Sequence, residues 1–201
     1  MLLGEAFKWL DDHRSGQLVV TPAGSGTRAW YQVTEDREST FYLNASMGMV
    51  SMFSLGLAAA VPQATVWAIA GDGGLAMNPS CFATEAEYLP TNLRHIVIMN
   101  RVFGVTGKIP LPNGGGYDFT KVAEGFGIPI ERCYEADSLE ALDRIAHVFS
   151  DDHGYGFVVL RIEVEKGLVE PASLDGAELK YRFGRAMERR FGVQVFDERG
   201  V

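Results

Sequence analysis

The sequence predicts an α/β fold in which a mainly parallel sheet lies between two layers of helices. Apolar, β-rich runs alternate with helical patterns along the 201 residues, which is typical of a parallel sheet covered on both faces. Three of these runs, residues 66–70, 96–99 and 157–160, are apolar throughout, as strands buried on both sides must be. We expect the whole chain, residues 1–201, to form one three-layer domain, because domains of this size are common.

Each element follows from its local pattern. The expected strands are residues 17–21, 65–70, 95–99, 128–133 and 157–162. The expected helices are residues 3–13, 45–60, 79–88, 119–126, 139–149 and 178–191. In the fifth helix one face is apolar, and Asp137 or Ser138 is suited to cap its start.

Composition and charge exclude several classes of partner. The formal net charge is −8 and no long basic run is present, so we expect no nucleic acid. The longest apolar stretch, residues 47–61, has 15 residues and contains Gly and Ser, whereas a membrane span needs about 20. Glu5 and Lys8 come too early for a signal peptide. The expected location is therefore the cytoplasm, without a membrane segment.

Cysteine and histidine give no sign of a metal centre. Cys81 and Cys133 lie far apart without a C-x-x-C pair, so we interpret both as packing residues. The four histidines show no metal-ligand spacing and are assigned structural or surface roles; they are His13, His95, His147 and His153.

A glycine-rich turn follows the second buried strand. Gly71-Asp72-Gly73-Gly74 stands between that strand and a helix, at the sheet edge where open α/β sheets bind ligands and where glycines let the backbone approach a phosphate. A tight strand-to-helix turn with no ligand explains the same residues. Both interpretations remain open on this motif alone.

The next buried strand ends in a second polar turn. It is followed by Asn100-Arg101-Val102, so adjacent parallel strands would deliver Asp72 and Asn100 to the same edge. Carboxylate, amide and carbonyl oxygens are a ligand set that suits Mg²⁺, which is commonly completed by phosphate oxygens and water. Alternatively, Asn100 is a turn residue that tolerates an unusual φ.

These two turns together resemble the diphosphate motif of the thiamine diphosphate-dependent 2-oxo acid decarboxylase and acetolactate synthase superfamily. There Gly-Asp-Gly is followed by an Asn-Asn pair, and here 26 residues separate Gly73 from Asn100. The resemblance implies Mg²⁺ bound by the side chains of Asp72 and Asn100 and by the backbone oxygen of Val102. Met99 replaces the first Asn of the pair, which is not a ligand in the family. Arg101 replaces a small residue, and it must point away from the diphosphate or contact it.

Two further segments resemble parts of the cofactor site in this superfamily. Ser46-Met47-Gly48 is similar to the segment that bends thiamine diphosphate, with Met47 as the apolar wedge; a plain core methionine is the alternative. Residues 21–28 are similar to the loop that closes over the diphosphate, where Thr27 and Arg28 are additional candidates. The full set of cofactor-binding residues that the resemblance implies is Gly24, Ser25, Ser46, Met47, Gly71, Asp72, Gly73, Gly74, Asn100, Val102, Phe103, Gly104 and Val105.

Across residues 15–165 the sequence resembles the small β-type subunits of two-subunit sulfopyruvate and phosphonopyruvate decarboxylases. In this superfamily a glutamate on a separate pyrimidine-binding domain activates the cofactor, and 201 residues have no room for both domains. The resemblance therefore implies an α-type partner chain that carries the pyrimidine domain, in an α2β2 or larger assembly.

The leading hypothesis is a subunit that decarboxylates a small anionic 2-oxo acid with a second anionic group. Lys108, which follows the predicted metal-binding turn, is the first candidate to bind that group, before Arg28 and Arg101. The alternatives are an acetolactate synthase-like carboligase subunit and a cofactor-binding module without catalysis. A Rossmann-like nucleotide site ranks below these, because no G-x-G-x-x-G follows the first strand.

Overall fold

Six parallel strands form the centre of the molecule, as the apolar runs of the sequence predict. The computed structural model describes residues 1–22, 24–43, 46–163 and 175–196. The strands are β1 (Leu18–Thr21), β2 (Thr40–Tyr42), β3 (Val66–Gly71), β4 (Leu93–Met99), β7 (Cys133–Ala136) and β8 (Gly156–Arg161). Their order is β2-β1-β3-β4-β8-β7, and every pairing is parallel. A separate antiparallel hairpin joins β5 (Val102–Phe103) to β6 (Ile109–Pro110).

Helices cover both faces of this sheet. They are α1 (Leu3–Asp12), α2 (Ser25–Thr34), α3 (Val50–Ala60), α4 (Asp72–Met77), α5 (Cys81–Tyr88), α6 (Phe119–Gly125), α7 (Leu139–Arg144) and α8 (Gly176–Phe191). No helix among the described residues is both long and apolar enough to cross a membrane.

Alternating strand side chains build two separate cores. On β3, Val66, Ala68 and Ala70 pack with α3, α5 and α6, whereas Trp67 and Ile69 pack with α1, α2 and α7 on the opposite face. The same alternation holds in β1, β4 and β8, because successive strand side chains point to opposite faces. The predicted three-layer α/β fold is confirmed.

The strand order places a ligand site at one position of the sheet. β1 pairs with β2 on one side and with β3 on the other, so the direction of winding reverses between β1 and β3. Ligands of open α/β sheets bind in the crevice at such a switch point, beyond the carboxyl ends of the strands. The glycine-rich turn after β3 lies at this crevice.

One predicted strand is misplaced by several residues. The expected strand at residues 128–133 is a turn and a 3₁₀ helix, Ile130–Arg132, and the strand of this region is Cys133–Ala136. Pro129 has no N–H to donate to a sheet, and Ile130 is 48% exposed. The apolar residues of the expected strand therefore lie in a turn. The edge strand β7 is half-buried and less apolar.

The helical predictions differ from the structure mainly at their ends. The helix expected at residues 45–60 begins at Val50, because Ser46 and Gly48 have φ of 60° and 84°; Ala45 lies outside the described residues. The helix expected at residues 139–149 ends at Arg144 and continues as a 3₁₀ turn. Ser138 caps it, accepting a hydrogen bond from the Ala141 N–H at 3.2 Å.

An ion pair fixes the connection between α2 and β2. Asp36 accepts hydrogen bonds from the Arg14 guanidinium at 2.5 Å and from the backbone N–H groups of Glu38 and Ser39 at 3.0 and 2.9 Å. Burial opposes its charge, but the hydrogen bond from Arg14, the backbone hydrogen bonds and the attraction to Arg14 outweigh burial and lower the pKa of Asp36. This carboxylate therefore ties the segment after α1 to the connection between α2 and β2.

We expect Asp36→Asn to destabilise the protein at pH 7 by about 1–3 kcal/mol, because charged hydrogen bonds are lost. A carboxyl whose pKa is lowered by folding stabilises the folded state above its unfolded value, 3.8, and this stability is lost as the pH falls. Urea denaturation should therefore show a gap between Asp36→Asn and wild type that closes below about pH 4. The exposed Asp152→Asn is the control, and a gap that does not depend on pH would contradict the assignment.

Candidate functional site

Parallel pairing of β3 with β4 brings the two polar turns together. Gly71 pairs with Ile98, so Asp72 and Asn100 leave the sheet at the same edge. Asp72 is joined to the turn that contains Asn100, because the backbone N–H of the next residue, Arg101, donates to Asp72 Oδ2 at 2.6 Å. The structure thus places the two predicted metal ligands side by side.

Asp72 is a buried carboxylate at the start of α4. Its side chain has little exposure, 3%, and Oδ1 accepts a hydrogen bond from the Gly73 N–H at 2.8 Å. Burial raises the pKa of Asp72, and the backbone N–H groups of Arg101, Gly73 and Asn100 offset this only in part. A cation beside this carboxylate would favour its charged form.

The turn after β4 exposes backbone and amide oxygens. Asn100 Oδ1 accepts from the Val102 N–H at 3.0 Å, and Arg101 has φ of 63°. Across the hairpin, the Leu111 N–H donates to the Arg101 carbonyl at 2.9 Å, so Val102 and Pro110 form a non-hydrogen-bonded pair. The Val102 carbonyl therefore points away from β6 and is not used by the hairpin.

The glycines leave the backbone bare at this edge. A Cβ on Gly73 would lie 2.8 Å from the Phe103 ring and 3.1 Å from Met47 Cε, and a Cβ on Gly48 would lie 3.2 Å from the Gly74 carbonyl oxygen. Side chains at these positions would fill the space above the turn. This close approach is what a diphosphate bound by backbone groups requires.

A pocket of about 160 Å³ opens over these groups. All the predicted cofactor residues except Ser46 line it: Gly24, Ser25, Met47, Gly71, Asp72, Gly73, Gly74, Asn100, Val102, Phe103, Gly104 and Val105. Ser46 is exposed with φ of 60°. Lys108 is half-buried in the β5–β6 loop with φ of 57°, outside the lining.

The predicted loop at residues 21–28 is wrong in its second half, because α2 begins at Ser25. Trp30 is fully buried and packs edge-on against Phe7, which anchors this helix. Thr27 does not face the pocket; its hydroxyl bonds to Thr21 and the Pro22 carbonyl.

Arg101 does not line the pocket that Asp72 lines. It borders a separate groove together with Arg161 and Glu163. Its contribution to the turn is the backbone N–H that binds Asp72.

The pocket has a polar floor that the sequence pattern does not predict. Ser51, Cys81 and His95 line it, and burial, followed by the charge of Glu85, raises the pKa of the Cys81 thiol to about 12. The available signal was His95 itself, the one polar residue in the predicted strand at residues 95–99. It was assigned a structural role because no second histidine lies at ligand spacing.

The donor set fits a divalent metal and a diphosphate. None of the described lining residues is Lys or Arg, so a diphosphate beside the Asp72 carboxylate needs a cation from elsewhere. Within the described residues, no three His, Cys, Asp or Glu side chains form a metal cluster. A metal here would rely on one carboxylate with amide and carbonyl oxygens, as Mg²⁺ does.

Comparison with known proteins identifies the family. Residues 23–162 match the C-terminal TPP binding domain of thiamine pyrophosphate enzymes. The chain belongs to this family, and its predicted cofactor, thiamine diphosphate, is confirmed.

The relatives include β-type decarboxylase subunits, as the sequence predicts. The sulfopyruvate decarboxylase subunit beta of Methanocaldococcus jannaschii is 26% identical over 173 residues, covering 86% of this chain and 89% of the relative. The phosphonopyruvate decarboxylase of Streptomyces hygroscopicus is 35% identical over 89 residues, covering 44% of this chain and 22% of the relative. The resemblance to this group is confirmed.

A solved structure shares the fold. The benzoylformate decarboxylase of Polynucleobacter necessarius superposes with a TM-score of 0.66 at 14% identity, covering 84% of this chain and 34% of that chain. At this identity the likeness supports the three-layer architecture.

We expect Gly73→Ala to cost about 1 kcal/mol, because overpacking against Phe103 exceeds the gain in helix propensity. Gly56 provides a matched control, since it lies within α3 and an added Cβ meets nothing within 4 Å. Gly56→Ala should instead stabilise by about 0.5–1 kcal/mol. Chemical denaturation measures both, and equal stabilisation in the two variants would show that the space above Gly73 is not restricted.

Proposed function

We propose that this chain is the diphosphate- and Mg²⁺-binding subunit of a thiamine diphosphate-dependent decarboxylase. Its substrate would be a small 2-oxo acid with a second anionic group, of the sulfopyruvate or phosphonopyruvate type. Residues 1–201 would form a single diphosphate-binding domain, and the pyrimidine-binding domain would come from an α-type partner chain.

One observation carries the metal assignment. The Asp72 carboxylate and the Asn100 amide oxygen leave adjacent strands at one edge, in a pocket whose described lining has no lysine or arginine. The Val102 carbonyl, which the hairpin does not use, would be the third protein ligand. A divalent cation bound by these oxygens would offset both Asp72 and the diphosphate.

The residues of the pocket would hold and orient the cofactor. Gly73 and Gly74 would let the diphosphate approach the backbone, and Ser25 would present its hydroxyl from the start of α2. Met47, which lies over Gly73, would support the bent cofactor. When bound, thiamine diphosphate supplies the electron sink that a 2-oxo acid needs to lose CO2.

The relatives favour decarboxylation over carboligation. The relative from M. jannaschii, which this chain covers along most of its length, is named as a sulfopyruvate decarboxylase subunit. The relative from S. hygroscopicus is named for phosphonopyruvate. Both named substrates are three-carbon 2-oxo acids with a second anion.

An apolar rim around the pocket supports a covering partner. Met47 and Val105 line the pocket, and the other members neighbour lining residues: Met49 follows Gly48, Met77 lies beside Gly48 and Ile109 pairs with Phe103. The rim, Met47, Met49, Met77, Val105 and Ile109, is between 41% and 63% exposed. Exposed apolar residues clustered around a site are typical of protein interfaces. The rim fits an α-type chain that closes the site, in an α2β2 or larger assembly.

Lys108 remains our first candidate for the second anion of the substrate. It lies in the loop of the hairpin that begins at Val102, near Val105 at the pocket mouth. A partner chain that covers the rim would enclose this loop. Charged contacts in such a closed site are worth about 1.5–3 kcal/mol.

We expect Asp72→Ala and Asn100→Ala each to abolish Mg²⁺-dependent binding of thiamine diphosphate, because each removes a metal ligand. Calorimetry on the assembled enzyme, with and without Mg²⁺, measures this loss. Asp152→Ala, on the exposed surface, should bind normally. Unchanged affinity in both site variants would remove the proposed metal site.

The chain alone should turn over no 2-oxo acid, and activity should appear when the partner is added. Decarboxylation by the chain alone would refute the proposed division of the site.

In the assembled enzyme, Lys108→Met should raise the KM for a dianionic 2-oxo acid at least tenfold more than the KM for pyruvate, as expected for the loss of a charged contact. Lys180→Met, at an exposed position of α8, is the matched control. Equal changes in KM for both substrates would exclude Lys108 from recognition of the second anion.

A further inference from the structure

A buried carboxylate joins four elements behind the pocket. Glu85 lies on α5; Ser51 of α3 donates to one of its oxygens, while Tyr155, just before β8, donates to the other. His95 Nδ1 of β4 lies 3.1 Å from the same carboxylate. Glu85 and His95 are both fully buried. One side chain therefore connects α3, α5, β4 and the segment before β8.

Two of these three partners reach the pocket, and the third does not. Ser51 and His95 line its floor, whereas Glu85 and Tyr155 lie behind it. His95 pairs with Ala68, three residues before Gly71, so the floor lies about 10 Å below the sheet edge. Within the described part of the chain, His95 Nε2 has no hydrogen-bond partner.

Side-chain hydrogen bonds hold the start of α3, which carries Ser51. The helix begins at Val50 without a side-chain cap and follows Gly48, whose φ is 84°. Asn78 Nδ2 donates to the Gly48 carbonyl at 3.0 Å, and one turn later Ser51 donates to Glu85. The first contact is made next to Met47, and the second lies three residues further along the chain.

The contacts around this carboxylate favour its charged form. Burial raises the pKa of Glu85, but the attraction and hydrogen bond of His95 and the hydrogen bonds of Ser51 and Tyr155 outweigh burial and lower it. A charged, multiply bonded acceptor holds its donors at fixed positions.

We propose that Glu85 is a positioning residue for the cofactor. By holding Ser51 and His95, it sets the start of α3, three residues after Met47, against β4, which ends one residue before Asn100. Glu85 does not line the pocket itself, so it acts through its neighbours. This inference rests on the proposed cofactor site.

The cluster contains its own control. Ser51→Ala and Tyr155→Phe each remove one hydroxyl bond to Glu85, but only Ser51 belongs to a pocket wall. A purely structural Glu85 would make both variants lose stability and cofactor affinity in parallel. A positioning Glu85 would make only Ser51→Ala lose affinity.

The experiment compares both variants with Glu85→Gln in the assembled enzyme. Thermal denaturation gives stability, calorimetry gives the Kd of thiamine diphosphate with Mg²⁺, and kinetics give the cofactor KM and kcat. Ser51→Ala should raise Kd and cofactor KM about tenfold, equivalent to roughly 1.4 kcal/mol, while kcat at saturating cofactor changes less than about twofold. Tyr155→Phe should lower the thermal midpoint and leave Kd unchanged.

A double variant separates an indirect effect from direct contact. Ser51→Ala should weaken binding no further in the Glu85→Gln background, because both changes break one linkage. Additive losses would mean that Ser51 contacts the cofactor itself and would overturn the inference. Unchanged affinity in Ser51→Ala, or equal losses in Tyr155→Phe, would also overturn it. Normal binding by Asp72→Ala would instead refute the cofactor site on which the inference rests.

Discussion

The register of β3 against β4 is the constraint on which the site depends. Because Gly71 pairs with Ile98, both strands end at nearly the same height, and Asp72 and Asn100 emerge within hydrogen-bonding reach of one backbone turn. A slip of one residue would also send the side chains of β4 to the wrong faces. The two apolar cores that fix this register therefore also fix the spacing of the oxygens.

The parts of the fold that follow from strong periodicity were predictable from sequence. β3, β4 and β8 are largely apolar because both of their faces are buried. Asp72 and Asn100 were predicted to share one edge because each follows the end of such a strand, and the structure has them there. β2 and α2 were missed because their placement depends on tertiary contacts. The three-residue β2 gains its place from pairing with β1, and α2 depends on the burial of Trp30.

The floor of the pocket was hidden for a different reason. His95 and Glu85 are ten residues apart on different elements, so only folding shows that they form a buried pair. Single-sequence patterns report which face a residue occupies, but they do not report which polar groups meet behind it. The positive φ of Arg101 was similarly unreadable, since arginine gives no signal for that conformation.

Three of the five rim residues are methionines. This residue type lets the rim adapt to the shape of a contacting surface. Methionine is unbranched and polarisable, and its side chain rearranges to fill irregular gaps at little energetic cost. The rim therefore tolerates substitutions in a surface that packs on it, because methionine side chains can repack around altered shapes. Two interacting chains could then diverge considerably at their contact while the oxygens of Asp72 and Asn100, fixed by the sheet, stayed in place.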